Sequence, residues 1–208
     1  MKFDTTQVPV ELRPALDARL AQLAEHGGDP GDDTAGPLRA TLPLVWACSD
    51  FVADACLRDR NLLAWLAGPG RLHEQATRES LVADLEARLD PSADAAFYMY
   101  ELRRFRRRQL ARIAWRDLAD FADVETVLRE LTLLADVCIE SACARAAREL
   151  ETRYGVPRGE DGRPLELLVL GMGKLGGGEL NFSSDIDLVF LFPEHGETAG
   201  ARPLEHEE

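Results

Sequence analysis

Residues 167–192, LLVLGMGKLGGGELNFSSDIDLVFLF, constrain the fold of this chain more than any other segment. An apolar run at residues 165–170 has the length of a β-strand, and a second run, rich in Ile, Leu, Val and Phe, covers residues 185–192. Between the two runs, five glycines fall within eight residues, which favours a tight turn. The segment therefore predicts a strand, a glycine turn, a short helical turn and a second strand.

The second run begins with an Asp-x-Asp pair, Asp185 and Asp187. Successive side chains of a strand alternate between faces, so both carboxylates are expected on one face, within about 7 Å of each other. Mg²⁺ prefers oxygen ligands and commonly takes one or two carboxylates together with substrate phosphates. The pair therefore predicts a divalent-metal site in which Asp185 and Asp187 are both the metal ligands and the catalytic residues.

The glycine turn has the features of a phosphate site. Glycines allow backbone amides to approach a phosphate closely, and a lysine adds a positive charge. The predicted cofactor-binding residues are Gly171, Gly173, Lys174, Gly176 and Ser184. A strand, a glycine turn, a short helix and Asp-x-Asp at the start of a strand are the layout of the nucleotidyltransferase superfamily.

Three other interpretations compete for these residues. Residues 171–176 match G-x-G-x-x-G, the dinucleotide fingerprint, but that fold needs a full crossover helix and an acid about 20 residues further on. A phosphate loop of the Walker type fails, because Leu168 stands where its first glycine is required. The purely structural alternative is that Asp185 caps a turn and Asp187 pairs with an arginine.

The chain upstream of this segment reads as helical. Apolar periodicity predicts helices over residues 10–25, 42–58, 61–67, 77–89, 93–117 and 124–154. The first helix is followed by a loop rich in Gly, Asp and Pro that reaches about residue 37. The net charge of −13 disfavours nucleic acid as a partner. No run approaches 18 apolar residues, so neither a membrane span nor a secretion signal is predicted.

A cluster of seven arginines between residues 103 and 116 is the local exception to the acidic composition. Four of them share one helical stripe with i, i+4 spacing: Arg104, Arg108, Arg112 and Arg116. One interpretation is a solvated face, partly paired with acids of the chain, opposite an apolar core stripe. The other is that the stripe faces an acidic partner or the nucleotide cleft.

Residues 171–196, GMGKLGGGELNFSSDIDLVFLFPEHG, resemble the signature of the glutamine synthetase adenylyltransferase/adenylyl-removing family. The similarity extends upstream through SDFVADACLRDRNLLAWL, RRFRRRQLARIAWRDL and LADVCIESACARAARELETRYGVP. The deadenylylating half of that family carries G-M-G-K-L-G-G-x-E-L-N-x-S-S-D-I-D, which residues 171–187 match throughout. The adenylylating half typically reads G-Y-G-S-D-L-D. The chain is thus most similar to the N-terminal, adenylyl-removing half.

The resemblance implies a bifunctional enzyme that controls glutamine synthetase by adenylylation. This half would remove AMP from a tyrosine of the synthetase by phosphorolysis, releasing ADP. Mg²⁺ or Mn²⁺ is the implied cofactor, and ATP, ADP and inorganic phosphate are the implied substrates or products. The implied partners are glutamine synthetase and a PII-type signalling protein, and the implied location is the cytoplasm.

The resulting fold prediction is α+β. A mostly helical region over residues 1–155 precedes residues 156–208, the start of a polymerase-β-like nucleotidyltransferase domain that is incomplete at its C-terminus. A third carboxylate is expected beyond residue 208, because Glu205, Glu207 and Glu208 lie in no recognisable strand. The alternative function is a helical interaction or nucleotide-binding module that has no activity, because its catalytic domain is truncated.

Overall fold

The computed structural model describes residues 3–25, 36–90, 92–198 and 200. Two compact units, Met1–Leu131 and Thr132–Glu208, make up the chain. Helices dominate, and a few short antiparallel strands follow them, which confirms the predicted α+β class. Most of the predicted loop before residue 37 lies outside the described residues, as do Glu205, Glu207 and Glu208.

The helical part opens with a 3-10 turn at Val10–Leu12 and ends with the longest helix of the described chain. The helices are α1 (Arg13–Glu25), α2 (Pro37–Cys48), α3 (Asp50–Arg58), α4 (Leu62–Leu66), α5 (Arg78–Glu86), α6 (Ala95–Leu118) and α7 (Val124–Tyr154). The boundary between the two units falls within α7. The predicted domain boundary after residue 155 stays a prediction.

A break at Ser49 separates α2 from α3, so the prediction of one helix over residues 42–58 is wrong. Ser49 adopts an extended backbone (φ −141°, ψ 105°), and its side chain accepts a hydrogen bond from the amide of Val52. A serine in this role ends one helix and starts the next, although apolar periodicity continues across it.

In the described part of the chain no single helix is long and apolar enough to cross a membrane, although α2 and α3, bent by 118°, pass that test as a pair.

The core of the first unit is formed by the helices that precede residue 120. Trp46 and Trp115 are fully buried in it, together with Leu16 and Leu42. The Trp115 indole donates a hydrogen bond of 2.9 Å to the hydroxyl of Thr41, so its buried N–H group is satisfied. Helix α6 therefore packs into this core with its C-terminal half, where Ala111, Ala114 and Trp115 belong to the cluster.

The arginine stripe of α6 is mostly buried, so the prediction of a solvated face is wrong for most of it. Only 7% of Arg108, 4% of Arg112 and 2% of Arg116 is exposed. Each has a carboxylate partner within the chain, so the pairing with acids was predicted correctly. These buried guanidiniums are also not available to a partner or a nucleotide.

Glu130 of α7 is the centre of the network around the stripe. Its side chain is fully buried, and Arg116 Nη1 lies 2.6 Å from its Oε1, an ionic contact without the alignment of a hydrogen bond. Arg112 lies 3.4 Å from its Oε2, and the Ala76 amide donates to Oε1. Arg112 and Arg116 also donate to backbone carbonyls of the segment that precedes α5, those of Arg71, Leu72 and Glu74. The network therefore ties α6, α7 and that segment together.

Asp59 is the second carboxylate that holds the stripe. Arg108 Nε donates to its Oδ2 at 2.5 Å, and Arg104 lies 3.8 Å from its Oδ1. Burial by itself raises the pKa of Asp59, but the hydrogen bond and the charge of Arg108 outweigh burial and hold that pKa below its ordinary value of 3.8. The folded chain thus stabilises the ionised carboxylate.

Asp59→Asn is expected to cost stability at neutral pH and progressively less in acid. Because the pKa of Asp59 is lower in the folded than in the unfolded chain, its stabilisation is present above the ordinary value and is lost as the pH falls below it. We expect the variant to be about 1–3 kcal/mol less stable near pH 7. The difference should shrink between about pH 5 and pH 3, measured by urea unfolding at each pH.

Asp54→Asn is the matched control for this experiment. Asp54 pairs with Arg58 at 3.5 Å, but both side chains are more than half exposed. An exposed i, i+4 pair contributes about 0.3–0.5 kcal/mol, so this variant should stay close to the parent at every pH. If Asp59→Asn lowered the free energy of unfolding by the same amount at neutral and at acid pH, the role given to Arg108 would be contradicted.

In its described residues, the second unit contains two two-stranded antiparallel sheets. Its elements after α7 are β1 (Pro157–Arg158), β2 (Leu168–Gly171), the short helix α8 (Gly173–Gly176), β3 (Leu188–Leu191) and β4 (Glu197–Thr198). Strand β1 pairs with β4, and β2 pairs with β3. The predicted order of strand, short helix and strand is therefore present, and β2–β3 is the sheet that carries the candidate site.

Candidate functional site

The Asp-x-Asp pair stands immediately before β3 and beside the end of β2. The register pairs Gly171 with Leu188. One residue beyond that pair, the Met172 amide donates a hydrogen bond of 2.9 Å to the Asp187 carbonyl. This bond fixes the backbone of Asp187 beside Met172, the residue that immediately precedes α8. Asp185 and Asp187 were predicted to belong to the strand, but the strand itself begins at Leu188.

Helix α8 follows β2 after one residue, Met172, which adopts an extended backbone (φ −97°, ψ 163°). Gly173, the first residue of α8, has φ +56°, a conformation that glycine adopts without the strain that a side chain brings. Lys174 comes next and is exposed. Because the first amides of a helix have no partner within it, the amides of Gly173 and Lys174 have no acceptor inside α8.

Gly176 permits the close approach of α8 to the end of β2. A Cβ atom at this position would lie 2.3 Å from the carbonyl oxygen of Gly171, which is a backbone atom and cannot rotate away. Any side chain therefore forces the helix and the strand apart. Gly171 and Gly176, both predicted as site residues, thus set the spacing on which the turn depends.

Gly176→Ala is expected to loosen the turn at the site. Overpacking of this kind costs about 1–3 kcal/mol, so exchange of the Met172 amide, which bonds the Asp187 carbonyl, should quicken by about fivefold or more. Hydrogen exchange followed by NMR measures the rate.

Gly177→Ala provides the comparison. Its Cβ would lie 3.5 Å from the carbonyl oxygen of Gly173, an ordinary contact, and its φ of −80° suits alanine. Exchange of the Met172 amide should therefore stay near the parent rate. If exchange of the Met172 amide quickened equally in both variants, the close approach of Gly176 to the Gly171 carbonyl oxygen would not be the reason that the turn requires glycine.

Asn181 organises the turn that leads into the aspartate pair. Its Oδ1 accepts hydrogen bonds from the hydroxyls of Ser184 (2.6 Å) and Ser183 (3.3 Å). Its backbone amide donates a hydrogen bond to Ser184 Oγ. The sequence predicted Ser184 as a cofactor-binding residue, and in the structure its hydroxyl bonds Asn181. Asn181 and Ser183 were identified as members of the motif without an individual role. The only signal available was composition, since Asn and Ser commonly close such turns with their own side chains.

Two buried leucines anchor this part of the chain. Leu175 of α8 and Leu180 are each 6% exposed. The Leu180 amide donates a 3.1 Å hydrogen bond to the hydroxyl of Thr132 in α7. The apolar anchors and this bond hold the turn on both sides of the glycines, so Ser184 and Asp185 follow a fixed segment of backbone.

The carboxylates of Asp185 and Asp187 are both exposed. Five apolar residues follow Asp187, a pattern that favours a position beside buried sheet, yet Asp187 is exposed. Within the described residues neither carboxylate has a hydrogen bond or an ion pair, so the structural alternative of a turn cap and an arginine pair is not observed. The two acids are therefore free to bind a ligand.

The dinucleotide interpretation does not fit this geometry. Helix α8 has four residues, whereas a dinucleotide fold needs a full crossover helix between parallel strands. Strands β2 and β3 are antiparallel and directly paired. The G-x-G-x-x-G spacing in this chain therefore serves a tight turn between two neighbouring strands.

The residues present fit a hard divalent cation. Two unpartnered carboxylates offer the oxygen ligands that Mg²⁺ and Mn²⁺ prefer. The neighbouring turn is open at Gly173, where an added Cβ atom would meet nothing within 4 Å. No group of three metal-binding side chains occurs among the residues that the structure describes. The described site is thus a pair, and further ligands would come from substrate, water or other residues.

The sheet around the site exposes apolar side chains on both faces. Leu168 and Leu170 project from one face and are about half exposed, and Phe190, on the other face, is 54% exposed. A two-stranded sheet is at most marginally stable alone, and three or more strands or a packed helix are usually needed. These faces are therefore suited to further packing.

Comparison with known proteins connects this site to a family. The family model for glutamate-ammonia ligase adenylyltransferase matches residues 40–208. A relative from Nitrosococcus oceani is 42% identical over 206 residues, 97% of this chain and 21% of the relative. One from Pseudomonas aeruginosa is 47% identical over 166 residues, 79% of this chain and 17% of the relative.

A further relative, from Stenotrophomonas maltophilia, is 40% identical over 208 residues, the whole of this chain and 21% of the relative. All three relatives are named bifunctional glutamine synthetase adenylyltransferase/adenylyl-removing enzyme. The chain spans about a fifth of the length of these curated relatives.

Proposed function

Because the chain belongs to the glutamate-ammonia ligase adenylyltransferase family, we propose that its glycine turn and aspartate pair form part of an adenylyl-removing centre. The observation that supports this most is the position of two unpartnered, exposed carboxylates beside the turn, with Asp187 held there by the Met172 amide. The motif at residues 171–187, which resembles the deadenylylating half of the family, favours removal of AMP over its addition.

The proposed reaction is phosphorolysis of adenylylated glutamine synthetase. An oxygen of inorganic phosphate forms a bond to the phosphorus of the tyrosine-linked AMP, and the bond from that phosphorus to the tyrosine oxygen breaks. The tyrosine oxygen leaves with the electron pair and takes up a proton, and the products are ADP and unmodified synthetase. This chemistry needs positioning and charge neutralisation and no covalent nucleophile on the enzyme.

Asp185 and Asp187 are the residues proposed to hold the divalent cation. When bound, that ion supplies Lewis-acid polarisation of the phosphoryl oxygens. Lys174 is proposed to contribute a positive charge toward phosphate oxygens, and the amides of Gly173 and Lys174 to donate hydrogen bonds to them. The chain contains only two lysines against 22 arginines, so a lysine at this position is unusual for its composition.

The nucleotidyltransferase fold is part of the same proposal. We propose that further strands of the same polypeptide extend the β2–β3 sheet, cover its exposed apolar faces and supply a third carboxylate. Glutamine synthetase is the proposed partner, because the relatives are named for it. Regulation by a PII-type protein and a cytoplasmic location stay predictions from the resemblance.

A second candidate function is an inactive interaction or nucleotide-binding module. It is favoured by one observation, the lack of a third metal-binding side chain near the pair within the described ranges. In that case the turn would still bind phosphates, but no reaction would follow. The full-length enzyme is a polypeptide that contains this chain and has the length of its relatives. Its activity separates the two candidates.

The full-length enzyme should release ADP when it is mixed with adenylylated glutamine synthetase, phosphate and Mg²⁺. A separate reaction with ATP and unmodified synthetase measures AMP transfer, the opposite activity. If alteration of Asp187 stops AMP transfer and leaves ADP release intact, this chain belongs to the other half of the family. If the parent enzyme catalyses neither reaction, the binding module is the better description.

A further inference from the structure

Helix α6 carries a second set of arginines, on the side opposite the buried stripe. Arg103, Arg106 and Arg107 are exposed, and across the part of the chain that the structure describes none of them forms an ion pair with an acid. The stripe on the same helix behaves differently, because Arg104, Arg108, Arg112 and Arg116 all have carboxylate partners. Ion pairs of the α6 arginines are therefore confined to the stripe.

The unpaired arginines belong to one continuous surface, which we call the α6 outer face. Its residues recur at helical spacing and are Ala96, Met99, Tyr100, Arg103, Arg106 and Arg107. Tyr100 is 59% exposed and Met99 is 40% exposed. Tyr, Met and Arg are the residue types enriched where proteins bind one another, and Tyr and Arg often dominate the binding energy.

The charge of this surface is unfavourable for the chain alone. Arg103 has like charges at i+3 (Arg106) and i+4 (Arg107), positions at which equal charges on a helix repel. The chain has 37 acidic residues and a net charge of −13, yet among the residues that the structure describes no acid pairs with these three guanidiniums. An acidic partner would relieve the repulsion, and guanidinium groups bind carboxylates with two parallel hydrogen bonds.

We propose that the α6 outer face docks an acidic patch on the protein substrate of the reaction, glutamine synthetase. This inference rests on the proposed function, which supplies the identity of the substrate. Arg103 and Arg107 bind carboxylates of the patch, and Tyr100 and Met99 pack against apolar side chains at its edge. The positive charge of the α6 outer face thus recognises the synthetase through its acidic patch.

The test measures binding of adenylylated glutamine synthetase to the immobilised full-length enzyme. The double variant Arg103→Glu/Arg107→Glu should raise the Kd by about tenfold or more and weaken its salt dependence. The control Arg58→Glu/Arg129→Glu changes the net charge equally at two exposed helical arginines elsewhere in the first unit. Its Kd should stay within about twofold of the parent.

Three results would overturn the docking proposal. An equal rise of Kd in both variants would mean that only the total charge matters. An unchanged Kd with an unchanged melting temperature would mean that the face is not used. An unchanged Kd with a lower melting temperature of the full-length enzyme would show that its own polypeptide covers the face. The uncharged pair Arg103→Gln/Arg107→Gln, which keeps good helix formers, repeats the test if the reversed charges prevent folding.

ADP release by the parent enzyme is recorded in parallel, so the two proposals fail in different ways. ADP release together with an unchanged Kd in the Arg103/Arg107 variant overturns the docking surface alone. A raised Kd in that variant, together with no ADP release by the parent, overturns the proposed reaction and leaves the synthetase as the partner of the α6 outer face.

Discussion

Replacing Glu130 by alanine is expected to lower the free energy of unfolding of the 208-residue chain by about 3–5 kcal/mol. The Glu130 side chain is fully buried between two arginines that are themselves almost fully buried. Its removal leaves two guanidinium charges away from water without a counter-charge, and it also removes the acceptor of the Ala76 amide. Urea unfolding at neutral pH measures the loss.

Two further variants identify the source of this loss. Glu130→Gln keeps the shape and an oxygen acceptor but removes the charge, so it should fall between the parent and the alanine variant. Glu125→Ala removes an exposed carboxylate that pairs with Arg129 and should cost less than about 1 kcal/mol. If Glu130→Ala cost no more than Glu125→Ala, the buried network would not hold the first unit together.

Replacing either aspartate of the pair is expected to slow ADP release by the full-length enzyme about 10²–10³-fold. A bound cation contributes several kcal/mol to stabilising the charge of a phosphoryl transition state, and each 1.4 kcal/mol corresponds to about a factor of ten in rate. Asp185→Asn and Asp187→Asn keep the size of the side chain and remove the charge that binds the ion. Rates at saturating phosphate measure the effect.

Two nearby acids serve as controls for this prediction. Glu179 is exposed between the glycine turn and Asn181, and Asp161 lies in the loop after β1. Glu179→Gln and Asp161→Asn remove the same charge without touching the pair, so both should keep at least about half of the parent rate. A similar fall in all four variants would indicate a general effect of charge and would contradict a metal role for the pair.

The sequence predicted helices best where the apolar periodicity extends over many residues and capping residues mark both ends of the helix. Residues 124–154 were predicted as one helix, and α7 has those bounds. Asp123 accepts a hydrogen bond from the Thr126 amide at its start, and a glycine with φ +91° follows its last residue. The break at Ser49 was missed because the apolar pattern continues through α2 and α3, and a single serine carries the only signal.

The burial of the arginine stripe could not be predicted from the sequence. Helical spacing shows that four arginines share a face, and such a face is usually solvated. Their partners, Asp59 and Glu130, lie 49 residues before Arg108 and 14 residues after Arg116, and several backbone carbonyls also accept from them. Tertiary contacts of this kind leave no local pattern.

The order of elements at the candidate site followed from the sequence, but its exposure did not. The glycine turn between two strands was predicted from composition and spacing. The exposure of Asp187 and of the β2–β3 sheet was not, because an apolar run predicts burial whether or not the covering elements are present. The roles of Asn181 and Thr132 depend on side-chain hydrogen bonds that only the structure shows.

Phosphorolysis with labelled phosphate tests the central claim most directly. The full-length enzyme is mixed with adenylylated glutamine synthetase, Mg²⁺ and ³²P-labelled inorganic phosphate, beside the Asp185→Asn/Asp187→Asn double variant. We predict labelled ADP from the parent, because its β-phosphate comes from inorganic phosphate, and none from the variant, which should still transfer AMP from ATP to unmodified synthetase. Unlabelled AMP from the parent, or labelled ADP from the variant at the parent rate, would contradict the assignment of this site to AMP removal.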